Sequence, residues 1–209
     1  MRFAYPLMLD VTERLVVIIG GGAVALRKAK TLLEAGATRV RVVSPTFHEQ
    51  MPPAVERVQE SYETRHLDGS GLVYAATDSA AVNDQVVREA RARGVLVNRL
   101  DDGWPPGDFV TPAGWRQGEV VLAVSAGSAA LSVAIRDDLA AELDDRHVRM
   151  SQVMLELRPR IRDSGLEPAK RAAIFRDLAT EAALDTLSQR GERGLEMWLA
   201  ERYPEMKLG

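Results

Sequence analysis

The residues best suited to chemistry come early in the chain. Ile19-Gly-Gly-Gly-Ala-Val-Ala25 places glycine at 20 and 22 and alanine at 25, the G-x-G-x-x-A spacing. Gly20 permits a tight turn, Gly22 leaves bare backbone for a pyrophosphate to approach, and Ala25 lets a helix lie close to a strand. At the start of such a helix, free N–H groups and the positive end of the dipole hold phosphates. Gly20, Gly21, Gly22, Ala23 and Val24 are therefore the expected cofactor-binding residues. About 20 residues on, an acidic side chain usually holds the ribose hydroxyls. Ser44-Pro45-Thr46 stands there instead; Ser44 offers one hydrogen bond, and no arginine waits for a 2′-phosphate, which favours NAD over NADP. Thr77 and Asp78 follow a strand and could touch the ribose or cap a helix. Asn98 closes another strand and could orient cofactor or loop. Arg116 and Arg136 are candidates for anionic groups on a substrate, because a guanidinium fork suits carboxylates. Arg27 and Lys28 read as a solvated helix face. His48, His66 and His147 form no close-spaced pair and read as surface residues, so no metal site is expected.

These residues need a scaffold, and the pattern supplies one. Leu15-Val-Val-Ile-Ile19 is a buried strand, and Ala23 to Ala35 reads as a helix that Gly36 ends. Arg39–Val43 alternates and stops at Ser44-Pro45. A weak strand is expected between residues 56 and 65. Leu72–Ala76 is another buried run, Ser79 to Arg93 a helix closed by Gly94, and Val95–Asn98 a further strand. Strands alternating with helices imply parallel pairing with right-handed crossovers, a Rossmann-like doubly wound α/β sheet. Residues 101–118 hold three prolines and four glycines and read as an irregular, function-bearing connection. Glu119–Val124 is one more strand. From Ala129 onward helices dominate: Leu131, Ile135 and Leu139 recur every four residues, and so do Val153, Leu157 and Ile161. Residues 168–203 are helical with breaks near Gly191 and Gly194. The expected division is a dinucleotide-binding domain over 1–112, a dimerisation and substrate segment over 113–147, and a small helical domain over 148–209.

Composition narrows the function classes. The chain has 209 residues, 46% hydrophobic and 27% charged, as expected of a globular protein with its own core. It has no cysteine, which excludes disulfides, thiolate metal sites and thiol catalysis and accords with the cytoplasm. A net charge of −3 and 5% aromatic residues argue against a nucleic-acid partner. The longest apolar run, Leu15–Leu26, is broken by glycines and falls short of the roughly 20 residues a membrane span requires. No signal-peptide pattern is expected at the N-terminus.

Several stretches together resemble one family. Tyr5-Pro-Leu-Met-Leu-Asp10, Gly20-Gly-Gly-Ala-Val-Ala-Leu-Arg-Lys28 and Val42-Val-Ser-Pro45 look like the N-terminal half of precorrin-2 dehydrogenases, the siroheme-synthase N-terminal type. The likeness continues through Ala75-Ala-Thr-Asp78, Asn83, Val97-Asn98, Asp101, Asp108-Phe109, Pro112 and Gly118, and on to Leu139. It implies an NAD-dependent oxidation of precorrin-2 to sirohydrochlorin, in siroheme or cobalamin-type biosynthesis, by a homodimer. Some members also insert metal into the product. Asp101 matches the family's acid/base aspartate; it lies just past the carboxyl end of a strand, where α/β sheets bind ligands. Asp-Asp-Gly is also a common turn, and Asp102 reads as a turn residue. The apolar helix Leu131–Leu143 needs a partner surface, in accord with a dimer. One stretch departs from the family pattern S-[ST]-G-G-x-S-P, which lines the tetrapyrrole site. Here it reads Ser125-Ala-Gly-Ser-Ala-Ala-Leu131, leaving Ser125, Gly127 and Ser128 as substrate-binding candidates. Two other readings stay open: a different small NAD(P)-dependent oxidoreductase, and a non-catalytic NAD(P)-binding regulatory module.

Overall fold

The computed structural model describes residues 5–101, 103 and 106–206. Its contacts gather into two units, Met1–Thr111 and Pro112–Gly209.

The first unit is a five-stranded parallel sheet: β1 (Leu15–Ile19), β2 (Arg39–Val43), β3 (Glu56–Val58), β4 (Leu72–Ala75) and β5 (Val97–Arg99), in the order β3-β2-β1-β4-β5. β1 is central and all five of its residues are buried, because both faces are covered. Alternation sorts them. Val16 and Ile18 pack with Ala25, Leu26, Ala29 and Leu32 of helix α1 (Ala23–Glu34). Leu15, Val17 and Ile19 pack with Val86, Val87 and Ala90 of helix α2 (Ala80–Ala92) on the opposite face. Each helix stops where a glycine takes positive φ. Gly36 (φ 86°) donates to Leu33 O while Ala37 donates to Leu32 O, and Gly94 (φ 68°) and Val95 repeat the pattern on Arg91 O and Ala90 O.

The edge strand β5 is finished without another strand. Val97 N donates to the Asp108 carboxylate at 3.1 Å, Asp108 N donates back to Val97 O at 2.7 Å, and Arg91 pairs with the same carboxylate. Phe109 then lies edge-on to Tyr74, ring centroids 5.6 Å apart. β3 is the weak strand expected between 56 and 65, and it is only three residues long. A 3-10 turn, Thr64–Leu67, follows it. His66 there departs from the surface reading: it is buried, its Nδ1 accepting from Glu63 N and its Nε2 lying 3.2 Å from Glu60.

The second unit begins with an antiparallel hairpin, β6 (Ala113–Gln117) and β7 (Val120–Val124), on which α3 (Ala129–Ala141) packs. β6 corrects the expectation of an irregular connection as far as 118. Its sequence, Ala-Gly-Trp-Arg-Gln, lacks a buried-strand pattern because its residues are half-buried or exposed. Helices α4 (Asp145–Arg162), α5 (Pro168–Leu178) and α6 (Glu181–Arg202) form a separate core, with Met150, Val153, Leu157 and Ile161 meeting Ile174, Leu178, Leu187, Leu195 and Leu199. Gly191 (φ 68°, ψ −172°) divides α6 into two helical segments. Among the described residues, no helix is long and apolar enough to cross a membrane.

Candidate functional site

The strand order reverses between β1 and β4, and ligands of open α/β sheets bind beyond the carboxyl ends of the strands at such a switch point. The glycine loop follows β1 there. A Cβ on Gly20 (φ 120°) would sit 2.6 Å from the Ala76 carbonyl carbon, and nearer still to its oxygen. One on Gly21 would meet Thr46 O and the Ser44 side chain, with Ser44 Cβ at 2.8 Å. One on Gly22 would meet nothing within 4 Å. Two glycines thus fit against neighbouring backbone, and the third faces open space. Gly22 is the N-cap of α1 and makes no side-chain cap bond, and the first turn carries no acidic residue. The helix start at Ala23 and Val24 is left to an outside acceptor, which suits a pyrophosphate.

Around this loop, the other expected cofactor residues take different places. Ser44 is buried and its N–H donates to Val58 O; Pro45 is exposed, its carbonyl accepting from Gln59. Thr77 lies half-buried beside Gly20, with its N 3.1 Å from a Cβ built there. Asp78 is exposed, and the helix cap is Ser79, whose Oγ accepts from Val82 N. Asn98 is 2% exposed and registers beside Tyr74; its Nδ2 has no hydrogen-bond partner among the described residues. A buried donor left so costs about 1–3 kcal/mol, a cost that an acceptor on a ligand would remove. Lys28, read as solvated, is half-buried: it donates to Thr111 Oγ1 and lies 5.9 Å from the Tyr74 ring centroid, and burial pushes its pKa down.

Asp101 is tied to the glycine loop through two residues, Asn83 and Thr77. Asn83, fully buried on α2, accepts at Oδ1 from Thr77 N (3.2 Å) and Thr77 Oγ1 (2.8 Å). Its Nδ2 donates to Thr77 O and to Asp101 Oδ2, both at 2.9 Å. Gly20, Thr77, Asn83 and Asp101 therefore form one connected set within the first unit. Arg99, its side chain 1% exposed, grips the other side of Asp101 and pairs with Asp84 of α2. The Arg99 guanidinium draws the Asp101 carboxyl down to about 2, with Asn83 and the Gly103 N–H adding to the pull, while the arginine's own pKa is raised. Asn83 and Arg99 are functional candidates that motif reading did not place in the site. The available signal was a polar residue on each of two apolar faces: Asn83 among Val86, Val87 and Ala90, and Arg99 inside a buried strand. Asp102 lies outside the described residues.

The substrate candidates all fall in the second unit. Arg116 is exposed, with one long contact to Gly118 O at 3.5 Å. Arg136 donates to Gly114 O at 3.3 Å and pairs with Asp137. The loop before α3 is closed by its own hydroxyls. Ser128 caps the helix by accepting from Leu131 N at 3.2 Å; Ser132 Oγ accepts from Ala126 N at 2.8 Å and donates to Ser128 O. Ser125 and Gly127 are exposed. A cavity of about 260 Å³ in this unit is lined by Arg190, Arg193, Met197, Trp198 and Glu201 and by none of the candidate residues.

Comparison with known proteins agrees with this geometry. A family model described as "Putative NAD(P)-binding" matches residues 7–113. A siroheme synthase of Photobacterium profundum is 38% identical over 75% of this chain and 34% of its own length. One of Pseudomonas paraeruginosa is 32% identical over 98% of this chain and 46% of its own. The chain thus spans less than half the length of these relatives. The solved structure titled "SirC, precorrin-2 dehydrogenase" superposes with a TM-score of 0.74 at 23% identity, covering 95% of this chain and all of that one, and so has the same fold. With its doubly wound sheet, its open glycine loop and a family match over residues 7–113, the chain belongs to this NAD(P)-binding family.

Proposed function

We propose that the chain is an NAD-dependent dehydrogenase that converts precorrin-2 to sirohydrochlorin in siroheme or cobalamin-type biosynthesis. The observation that carries the reading is the continuous set Gly20–Thr77–Asn83–Asp101, which joins a pyrophosphate cradle to a carboxylate at the switch point. Similarity to siroheme synthases along nearly the whole chain, and the fold shared with a precorrin-2 dehydrogenase, support the same substrate.

Bound NAD would supply the hydride acceptor. Gly22 and the uncapped start of α1 would hold its pyrophosphate, and Ser44, Thr77 and the unsatisfied amide of Asn98 would fix its remaining polar groups. Ser44-Pro45-Thr46, just past β2, holds no arginine to grip a 2′-phosphate, which favours NAD over NADP. Asp101 provides a carboxylate beside the reacting ring. Arg116 and Arg136 are our candidates for the tetrapyrrole's carboxylates, together with Ser125, Gly127 and Ser128. We assign residues 113–147 to substrate contact and dimerisation: Leu131, Val133 and Leu139 of α3 are exposed apolar residues that a second copy would cover. The compartment is the cytoplasm, where an NAD pool is at hand.

Anaerobic incubation with precorrin-2 and NAD, followed by NADH absorbance, tests the reading. Wild type forms NADH; Asp101→Asn lowers turnover about 100-fold, the scale of a lost catalytic carboxylate, and leaves NAD affinity within about threefold. NAD binding without NADH formation would instead favour the non-catalytic module.

A further inference from the structure

Asp101 is held in a way that suits a fixed charge better than a proton acceptor. Arg99 donates from Nε to Oδ1 and from Nη2 to Oδ2, the latter at 3.1 Å. Asn83 Nδ2 donates to Oδ2 at 2.9 Å, and Gly103 N donates to Oδ1 at 3.3 Å. Four donors meet a group with about four lone-pair sites. The guanidinium is itself locked in place. Asp84 takes its Nη1, and the backbone at Gly103 lies so close that a Cβ there would fall 2.6 Å from Arg99 Nε. At Gly107, a Cβ would fall 2.6 Å from Arg99 N. Gly103 and Gly107 thus lie against the arginine, with glycine where a side chain would displace it. Among the described residues, the Arg99 guanidinium stands between two carboxylates, Asp101 and Asp84.

We propose that Arg99 is a positioning residue that fixes Asp101 as an oriented, permanent anion, and that Asp101 stabilises the positive charge the substrate acquires instead of collecting its proton. The inference rests on the dehydrogenase reading above. In that oxidation a C–H bond of the reduced tetrapyrrole breaks, and its electron pair leaves with the hydrogen as hydride to oxidised NAD. The macrocycle is left a cation. A ring N–H then breaks, its electrons stay on the ring, and its proton passes to water. The substrate loses two electrons and two hydrogens in all. A preorganised anion beside the macrocycle favours the cation without any reorganisation at the moment of transfer.

The pH dependence follows with a definite sign. Among the described residues, the charged groups set against Asp101 are Arg99 from β5 and, across the guanidinium, Asp84 from α2. Arg99 lowers the Asp101 pKa to about 2 from its ordinary value. The carboxylate therefore keeps its charge, and its contribution to stability, above about pH 4 and loses both as pH falls toward 2. The test uses the full chain as wild type, Arg99→Met, Arg99→Lys and Gly103→Ala. Two quantities are read: the pH titration of the 13C-labelled Asp101 carboxyl by NMR, and the pH profile of kcat with precorrin-2 and NAD. We expect no titration of Asp101 between pH 8 and 4 in wild type and a midpoint inside that window in Arg99→Met. We expect kcat to fall on the order of 10- to 100-fold in Arg99→Met, with a new acidic limb, while NAD affinity holds. Arg99→Lys restores the charge and part of the rate. Gly103→Ala pushes the guanidinium aside and shifts kcat and titration the same way, which keeps the test decisive if Arg99→Met fails to fold. A wild-type acidic limb between pH 5 and 7 that disappears in Asp101→Asn would overturn the proposal. So would a folded Arg99→Met with the wild-type profile. If wild type forms no NADH at any pH, the dehydrogenase reading falls, and the carboxyl titration still decides whether Arg99 holds the anion.

Discussion

Two loops in this chain carry a strand into a helix by way of glycine: residues 20–22 between β1 and α1, and residues 125–128 between β7 and α3. They look alike as local sequence, and they are built oppositely. In the first, Gly20 and Gly21 fit against the backbone of residues 76 and 46, Gly22 faces open space, and no side chain caps the helix. In the second, Ser128 accepts from Leu131 N and Ser132 from Ala126 N, so the chain's own hydroxyls engage the donors. A helix start recruits an outside anion only where its donors have no inside partner. Whether a glycine-containing turn binds phosphate is thus decided by its capping residues as much as by its glycines.

That contrast can be attacked at three points. The largest effect is expected at Gly20. Gly20→Ala forces an L side chain into φ 120° and into the Ala76 carbonyl. We expect a loss of about 3 kcal/mol in a urea melt, combining backbone strain with overpacking, and no measurable NAD binding by calorimetry. Gly22→Ala separates fold from ligand. Its φ of −80° is open to any residue and its Cβ would meet nothing. Stability should stay within about 1 kcal/mol of wild type, while NAD affinity drops roughly tenfold, about 1.4 kcal/mol. Equal stability losses at the two glycines would remove the distinction drawn between them. The smallest effect is expected at Ser128. Ser128→Ala removes the α3 cap and should cost about 1 kcal/mol with NAD affinity untouched; a weaker NAD complex in this variant would tie the second loop to the cofactor.

Much of the scaffold could be read from residue types alone. Val16–Ile19 is β-branched throughout, as suits a strand with both faces covered, and Gly36 and Gly94 end α1 and α2 because each takes positive φ. The glycine loop is legible for the same reason: its requirements are steric and local. β6 is different. It pairs with β7 in a two-stranded sheet, and Arg116 and Gln117 remain exposed, so no apolar pattern marks it. Of the Asp101 cluster, only Asp101 has a legible role; Asn83 stands in the family likeness without one, and Arg99 has neither. Asn83 sits 18 residues before Asp101 and Arg99 two before it, and only the β4–α2–β5 crossover brings their side chains together. His66 carries no local sign of its burial, because that burial rests on Glu60 and Glu63 meeting both ring nitrogens.

Asp108 has a consequence for the company this sheet keeps. An unpaired strand edge is an invitation for another polypeptide to add itself on. Here the invitation is withdrawn at Val97 by a carboxylate that occupies the donor and is anchored in turn by Arg91. Neighbouring molecules in a crowded solution meet charge on that flank, and the nucleotide-binding half is thereby guarded against growing into a fibre from this border.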